Sequence, residues 1–419
     1  MPLQVKVDPL NCRFCKAPLT VPFVDLGSAP PSNAYLTAQT LYAPETWYPL
    51  RVMVCTRCWL VQTEDFAARE AFFSSDYAYF SSMSSSWLAH AKAYVGKMSG
   101  MLALDASSCV VEVASNDGYL LQYVKERGIP CYGIEPTAST AAAARKIGIE
   151  TLEVFFGEDK GRELAGQGRA ADLTAANNVL AHVPDIGDFV RGFAALLKPQ
   201  GVSTFEFPHL LRLLNDTQFD TIYHEHYSYL SLLAVEAIFK ANGLGVFDVE
   251  ELPTHGGSLR VYAQRIDTGT RPRMARVDDV LGAERAKSMD RLSGYDGFQA
   301  KSERVKDDLL EALIDAKRKG LKVGAYGAAA KGNTLMNFAG IRPDLVPYVA
   351  DKSPSKQGHF MPGSRIPIVD EAHLKADRPD IILILPWNIK AEIAAQLAYA
   401  KAWGGKIMTA VPCLTIQEI

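Results

Sequence analysis

Two Cys-x-x-Cys pairs near the start of the chain, Cys12/Cys15 and Cys55/Cys58, most limit what this sequence can fold into. Each pair can place two thiolates on one metal ion through a tight turn, and two such turns form the closed tetrahedral site that zinc prefers. Reduced buried cysteines or a redox pair are the alternatives, but a redox pair needs only one such turn beside a βαβ pattern. We predict structural zinc, because four thiolates leave no open position for water.

Length and charge narrow the class of protein. A chain of 419 residues predicts about two or three domains, and 48% hydrophobic with 22% charged residues is ordinary for a globular protein. The formal net charge of −3 gives no reason to expect nucleic acid or a membrane surface as a partner. Seven cysteines fit a reducing compartment, and residues 1–10 lack a secretory pattern. We therefore expect a cytoplasmic protein and a monomer.

The order of predicted elements divides the chain into three parts. Residues 1–65 contain short strands, turns and the four cysteines. Residues 66–266 begin with a helical stretch and continue with strands that alternate with helices, which is typical of a doubly wound α/β sheet. Residues 267–419 contain linker helices and a second α/β unit of the Rossmann-like type. The predicted fold class is α/β with an N-terminal zinc-binding module.

The turn after the first predicted strand of the middle part indicates the cofactor. A dinucleotide fold would carry Gly-x-Gly-x-x-Gly there, but Ala114 and Asn116 replace the first two glycines. Glu112 lies in that strand and Glu135 ends the next, where an acid can accept hydrogen bonds from ribose hydroxyls. This pattern favours S-adenosylmethionine over NAD, with solvated acids at an ordinary turn as the alternative. The predicted cofactor contacts are Glu112, Ser115, Asn116, Gly118, Glu135, Asn177 and Asn178.

The second α/β unit carries a Gly/Ala-rich turn, residues 324–333, directly before a helix. Free N–H groups at a helix start bind anions, and Lys331 adds a positive charge. Asp351, at the end of the next strand, could accept a hydroxyl or a base edge. A sugar-nucleotide diphosphate is the natural ligand of such a turn, NAD is the competitor, and glycines that serve only packing are the third interpretation.

The segment 220–229 holds the densest cluster of titratable groups, with His224, Glu225 and His226 between tyrosines. His209 precedes it and His255 follows it. Histidines beside a carboxylate can transfer protons near neutral pH, so the cluster predicts a proton-transfer site. For any single member, a buried histidine with satisfied hydrogen bonds is the alternative.

Taken together, these motifs resemble the S-adenosylmethionine-dependent NDP-sugar C-methyltransferases that methylate C-3 of 4-keto deoxysugars, as in tetronitrose biosynthesis. The resemblance rests on the cysteine pairs and on the strings at residues 30–35, 112–118, 177–182, 223–226 and 255–260. It implies a structural zinc module, a central S-adenosylmethionine methyltransferase sheet, and a C-terminal domain that helps to hold the nucleotide diphosphate. It also implies a substrate, with dTDP favoured as its nucleotide, between the last two domains.

The resemblance also implies roles for individual residues. The implied catalytic residues are Tyr77, His182, Tyr223, Glu225 and His226. The implied substrate contacts are Ser32, Asn33, Tyr79, His255, Lys331, Asn333, Asp351 and Lys352. Ketone chemistry then suggests that His226, positioned by Glu225, removes the C-3 proton. Tyr223 or His182 would donate a hydrogen bond to the enolate oxygen.

Other functions stay open on the sequence. The enzyme could also reduce the 4-keto group with NADPH, or it could methylate a small molecule that is not a sugar. A methyltransferase for protein or nucleic acid would use the zinc module as a binding arm, although no basic stripe supports nucleic acid. A non-catalytic zinc scaffold would leave the titratable run at residues 223–227 unexplained.

Overall fold

The computed structural model describes residues 10–66 and 80–419, which form three β-sheets. The first sheet has four antiparallel strands, in the order β1-β2-β3-β9. Three strands come from the cysteine-rich part: β1 Val21–Ala29, β2 Tyr48–Val54 and β3 Val61–Thr63. The fourth, β9 Ser228–Tyr229, is the end of the titratable segment 220–229, far along the chain. The N-terminal module therefore forms one sheet with the segment that holds the predicted base.

The central sheet has seven strands in the order β10-β11-β8-β7-β4-β5-β6. Strands β4 to β8 are parallel and β11 runs antiparallel to both of its neighbours. All four residues of β4 are buried, as expected for a parallel strand covered on both faces. The strands are β4 Val110–Val113, β5 Cys131–Ile134, β6 Thr151–Leu152, β7 Ala171–Asn177, β8 Leu197–Pro208, β10 Leu244–Leu252 and β11 Ser258–Arg265.

Helices cover both faces of the central sheet, because each carries a stripe of apolar residues at helical spacing. In α5, for example, Ile186, Phe189, Val190 and Phe193 are buried. The helices of this part are α1 Ser85–Met101, α2 Leu121–Lys125, α3 Ala138–Lys146, α4 Glu158–Gly166, α5 Ile186–Leu196, α6 Leu210–Asn215 and α7 Leu232–Ala241.

The C-terminal sheet has six strands in the order β14-β13-β12-β15-β16-β17, and only the β16–β17 pair is antiparallel. Its strands are β12 Val323–Tyr326, β13 Val349–Ala350, β14 Ile368–Val369, β15 Ile381–Ile384, β16 Lys406–Thr409 and β17 Thr415–Glu418. Its helices are α10 Ala330–Ala339, α11 Glu371–Asp377 and α12 Lys390–Gln396. Together the three sheets confirm the predicted α/β class with an N-terminal cysteine module.

Two helices, α8 Ala275–Ala286 and α9 Phe298–Arg318, connect the larger sheets. The sequence analysis grouped both with the C-terminal part, but α8 packs on the central sheet through Val277, Val280 and Leu281. The boundaries at residues 65 and 266 stay predictions. Within the described ranges, no helix combines the length and the apolar character that crossing a membrane would require.

The loop after β1 joins the N-terminal module to the C-terminal sheet. Leu36 and Phe360 exchange two backbone hydrogen bonds of 3.0 and 2.8 Å. The Tyr35 hydroxyl donates to the Ala328 carbonyl at 2.7 Å. Three apolar residues of the same module pack in the apolar core of the central sheet, namely Cys12, Met53 and Leu60. The module therefore contacts both α/β sheets.

Candidate active site

The four predicted zinc ligands, Cys12, Cys15, Cys55 and Cys58, have their sulfur atoms within 4.8 Å of one another. The two turns repeat one geometry. The Lys16 N–H donates to the Cys12 carbonyl at 3.0 Å, and the Trp59 N–H donates to the Cys55 carbonyl at 2.9 Å. Sulfur atoms of a tetrahedral zinc site lie about 3.8 Å apart when Zn–S is about 2.3 Å. The cluster fits that geometry and leaves no coordination position open.

A cavity of about 370 Å³ opens where the carboxyl ends of the central strands face the start of α10. The segment 220–229 forms its third side, and Asn33 reaches it from the N-terminal module. Eleven of the predicted site residues line this active-site cavity: Asn33, Asn116, Glu135, Asn177, Asn178, His182, Tyr223, Glu225, His226, His255 and Lys331. The structure thus brings the predicted cofactor, catalytic and substrate residues together in one place.

Glu135, at the tip of β5, anchors the cofactor side of the cavity. Its Oε2 accepts the Asn116 N–H at 3.0 Å and its Oε1 accepts the Thr137 N–H at 3.0 Å. The Asn116 side chain in turn accepts the Ser81 N–H at 2.9 Å. Burial raises the pKa of Glu135, and the two N–H groups oppose that shift. Each oxygen keeps a second lone pair, which can accept a hydroxyl of a bound nucleoside.

Three predicted cofactor contacts are not among the described residues that line the cavity. Glu112 is fully buried inside β4, and burial raises the pKa of its carboxyl well above the ordinary value. The Ser115 side chain packs on Gly133, where an added Cβ would come within 2.2 Å of Oγ. A Cβ on Gly118 would meet Ile147 at 3.2 Å. These residues support the loop from behind.

His226 has the geometry of a neutral base. Its Nδ1 lies 3.0 Å from the Thr221 carbonyl oxygen. A carbonyl can only accept, so Nδ1 carries the proton and the lone pair is on Nε2. The ring lies 3.9 Å from the Tyr223 ring and 4.6 Å from the His182 ring, between centroids. Burial, followed by the neighbouring His182, lowers the pKa of His226 well below its ordinary value, so the ring is neutral at pH 7.

Glu225 is held from the N-terminal module, since Asn33 Nδ2 donates to its Oε1 at 2.7 Å. That Glu225 positions His226 stays a prediction, and at Nδ1 the hydrogen-bond partner of His226 is the Thr221 carbonyl. Burial lowers the pKa of His182 to about 4, and a hydrogen bond with the Glu225 backbone opposes the shift. His182 is therefore also neutral at pH 7, and its one N–H is the donor in the bond with the Glu225 backbone.

Lys331 brings a positive charge to the cavity from the first turn of α10. Its Nζ donates to Asn388 Oδ1 at 2.6 Å and lies 4.8 Å from the centre of the Trp387 ring. Trp387 Nε1 donates to the buried Asp220 Oδ2 at 2.6 Å. Burial lowers the pKa of Lys331 and raises that of Asp220 to about 6, and each charge opposes the shift of the other.

Three family descriptions match successive parts of the chain: a zinc binding domain over residues 12–73, a methyltransferase domain over 89–249 and a C-methyltransferase C-terminal domain over 253–412. A curated relative, the C-methyltransferase NovU of Streptomyces niveus, is 33% identical over 413 residues, which cover 98% of this chain and 97% of NovU. The chain belongs to the C-methyltransferase family. This C-methyltransferase uses S-adenosylmethionine, and its N-terminal module binds structural zinc.

Solved methyltransferase structures resemble only part of the C-methyltransferase. Magnesium protoporphyrin IX methyltransferase from Synechocystis with bound SAM covers 42% of this chain and 79% of its own, at 15% identity and a TM-score of 0.31. An S-adenosylmethionine-dependent methyltransferase from Clostridium acetobutylicum covers 43% and 91%, at 11% identity and a TM-score of 0.32. At these TM-scores the likeness says nothing about the substrate of the C-methyltransferase.

The glycines of the second turn serve packing in the C-methyltransferase. Gly327 has a φ of 89°, and a Cβ there would come within 2.5 Å of Pro386. A Cβ on Gly332 would come within 2.8 Å of Leu385. The packing interpretation thus holds for these glycines, while Lys331 between them lines the cavity.

Among the described residues, four predicted substrate contacts are not part of the cavity lining: Ser32, Asn333, Asp351 and Lys352. Asp351 accepts the N–H groups of Ala328 and Ser353 at 2.7 and 2.8 Å, so it fixes its own loop. Asn333 accepts from Asn337 inside α10 at 3.2 Å. Ser32 is buried, Lys352 is exposed, and Tyr77 and Tyr79 lie outside the described residues.

Trp87 and Lys356 are among the lining residues that the sequence did not single out as site residues. Trp87, in the first turn of α1, stacks on His90 and meets His255 edge-on, at centroid distances of 4.9 and 5.2 Å. Lys356 donates to the Ala328 carbonyl at 2.8 Å and lines the cavity beside Lys331. The one available signal for Trp87 was a serine three residues before it, at the N-cap of α1, and Lys356 had none.

Proposed function

We propose that this C-methyltransferase moves a methyl group from S-adenosylmethionine to C-3 of an NDP-4-keto-deoxysugar, with dTDP as the favoured nucleotide. The observation that carries the proposal is the cavity itself. It combines the His226 lone pair, the Glu135 loop and the cationic Lys331 within about 370 Å³. The proposed reaction needs these three features: a proton acceptor, a site for the nucleoside of the cofactor and a site for the anionic diphosphate of the substrate.

Glu135 and Asn116 would hold the cofactor, with Glu135 accepting from the ribose hydroxyls. S-adenosylmethionine supplies a methyl carbon on a positively charged sulfur. The described lining on this side carries aromatic and neutral polar side chains, including Trp87, Tyr119 and Asn177. None of these three adds a positive charge that would repel the sulfonium.

His226 acts first in the proposed mechanism. Its Nε2 takes the C-3 proton, and the electron pair of that C–H bond moves into an enolate whose charge lies largely on the C-4 oxygen. Tyr223 donates a hydrogen bond to this oxygen, where a preorganised donor lowers a barrier most, because the single N–H of neutral His182 is already donated to the Glu225 backbone. Burial keeps the free His226 neutral, and the adjacent enolate then stabilises the imidazolium that forms.

Methyl transfer follows from the enolate carbon. It attacks the methyl group in line with the sulfur, so the new C–C bond forms as the S–C bond breaks. The sulfur keeps the bonding pair and becomes neutral, and the C-4 carbonyl is restored. The proton on His226 Nε2 then leaves to water, which returns the base to its starting state.

Deuterium exchange tests the base apart from methyl transfer. The enzyme is incubated in D2O with S-adenosylhomocysteine and a dTDP-4-keto-6-deoxysugar, and deuterium at C-3 is followed by NMR. We expect exchange by the wild type and its loss in His226→Asn, with S-adenosylhomocysteine affinity almost unchanged. Near-normal exchange by His226→Asn would remove His226 from the base role.

A second assay tests the substrate. With S-adenosylmethionine present, we expect one methyl group at C-3 of the dTDP sugar and no reduction of the carbonyl on adding NADPH. NADPH-dependent reduction would support the bifunctional alternative. Methylation of a ketone that is not a sugar, with none on the nucleotide sugar, would overturn the proposal.

A further inference from the structure

We propose that Arg13, inside the first Cys-x-x-Cys turn, is a positioning residue that couples the zinc site to His182 and His226. The inference rests on the catalytic role proposed above for His226. The Arg13 side chain is only 5% exposed. It points from the metal turn into the interface with the active-site loops, where Pro184 and Tyr227 contact it.

The Arg13 guanidinium joins three pieces of chain. Nη1 donates to the Pro184 carbonyl at 3.0 Å, and Nη2 donates to the Thr63 carbonyl at 2.9 Å. The guanidinium carbon lies 5.1 Å from the centre of the Tyr227 ring. A further bond to Asp65 reaches a side chain that is 54% exposed, so it contributes little. The two carbonyl bonds and the ring therefore define what Arg13 holds.

Each of these partners leads directly to one of the two histidines. Pro184 ends the short turn that begins after β7 and carries His182. The Tyr227 N–H donates to the Ala181 carbonyl at 2.8 Å, which ties the two loops together. Thr63 Oγ1 donates to the His226 carbonyl at 3.1 Å. Arg13 thus fixes both loops at positions within two residues of the two histidine rings.

The zinc turn itself is fixed by other groups. The Arg13 backbone N–H donates to Gln62 Oε1 at 2.8 Å, and Gln62 Nε2 donates to Cys12 Sγ at 3.2 Å. These bonds do not need the Arg13 side chain. A nearly buried guanidinium costs free energy unless its donors are well placed, and a rigid planar fork suits two carbonyls on separate loops.

The test compares Arg13→Met, Arg13→Lys and a matched control, Arg51→Met. Arg51 lies in β2 of the same module and donates to Glu64 Oε1 at 2.6 Å. We expect kcat of Arg13→Met to fall about 10- to 100-fold, with KM, zinc content and S-adenosylhomocysteine affinity unchanged. Arg13→Lys should recover part of kcat, and Arg51→Met should match the wild type. A wild-type kcat in Arg13→Met, or a loss that tracks zinc loss, would overturn the proposal.

A second variant and a spectroscopic measurement test the same connection independently of Arg13→Met kinetics. Thr63→Val removes the hydroxyl bond to His226 and should lower kcat less, without loss of zinc; an unchanged kcat would count against the connection. The spectroscopic readout is the His226 Nδ1–H signal in 15N-histidine spectra of the S-adenosylhomocysteine complex, and this signal is assigned by its absence in His226→Asn. In Arg13→Met we expect the signal to shift or to exchange faster with solvent. An unchanged signal contradicts the coupling. Because no sugar is needed, this result separates failure of the coupling from failure of the proposed substrate.

Discussion

In both α/β sheets, an acidic residue after the second strand accepts hydrogen bonds from two backbone N–H groups. In the central sheet this residue is Glu135, and in the C-terminal sheet it is Asp351. The charges around these similar loops differ. Lys331 and Lys356 are the only lysine or arginine side chains among the described lining residues, and both come from the C-terminal side. Of the two loops, only the Glu135 loop lines the cavity itself, and the C-terminal side contributes the two lysines, so the two sides of the cavity differ in charge as the proposed cationic cofactor and anionic substrate would require.

Loss of zinc should have the largest effect, because the N-terminal module contacts both sheets. We expect Cys58→Ser to lose the metal and to lower methyl transfer by about 100-fold or more, since displaced catalytic groups cost that much. Metal analysis and a methyl-transfer assay measure the two effects. Cys413→Ser, at an exposed cysteine outside the cluster, is the control. A zinc-free Cys58→Ser enzyme with full turnover would show that the module has no part in activity.

The next largest effect should come from the acid on the cofactor side. Glu135→Ala removes the acceptor for Asn116 and Thr137 and, in the proposed function, for the ribose. We expect the Kd of S-adenosylhomocysteine to rise about 10- to 100-fold, because hydrogen bonds to charged groups contribute about 1.5–3 kcal/mol. Calorimetry measures it, with the exposed Glu153→Ala as the control. If nucleotide-sugar binding weakened equally, the division between the two sides would be wrong.

On the C-terminal side of the cavity, Lys331→Met should weaken only the binding of the anionic nucleotide sugar. We expect KM for the nucleotide sugar to rise about tenfold, since a charge-assisted contact at a partly buried site is lost. The Kd of S-adenosylhomocysteine should stay the same. Lys352→Met, at an exposed lysine that is not among the described lining residues, should leave both values unchanged. Steady-state kinetics with each ligand varied in turn provides the comparison.

The smallest predicted effect is on the pH dependence of the free energy of unfolding. Burial shifts the pKa values of two groups, His182 and Asp220, in opposite directions. The pKa of His182 falls from 6.5 to about 4, so it destabilises the fold as pH drops below 6.5. The pKa of Asp220 rises from 3.8 to about 6, so its protonation stabilises the fold over pH 6 to 4. Between about pH 7 and pH 5.5, His182→Gln should lose about 1 kcal/mol less stability than wild type.

Asp220→Asn should show the reverse and lose more stability than wild type over the same pH interval, because it cannot take up the proton. Denaturant unfolding at both pH values measures the two variants. If His182→Gln and Asp220→Asn changed in the same direction, the histidine and the carboxyl would not be titrating as the structure indicates.

The sequence identified the acidic residues near the strand ends, but it did not show which of the neighbouring side chains point into the cavity. Glu135 was predicted to meet the cofactor and it lines the cavity, whereas Glu112, Ser115 and Gly118 lie behind the loop. Chain order places a residue at the end of a strand. The face to which its side chain points depends on the φ/ψ of a few loop residues, and Asn116, with a φ of 49°, is one of them.

Long-range pairing was the second limit of the sequence analysis. Strand β9 has two residues and joins a sheet whose other strands end at Thr63. Nothing in a two-residue strand predicts such a partner, because a pattern of alternation needs more positions. Helix α8 was likewise grouped by position, although its apolar residues bind it to the central sheet.

The sequence by itself determined the features that depend on spacing along the chain. These are the two thiolate pairs, the alternation of strands and helices, and the motifs that resemble those of C-methyltransferases. Tertiary structure decided which groups contact one another. The Thr221 carbonyl accepts a hydrogen bond from His226 and Asn33 donates to Glu225, while Arg13 connects the zinc turn to both histidine loops. The physical reason is that bond angles and tight turns depend only on residues that are close together in the chain. A hydrogen bond between distant segments exists only after the whole core has packed.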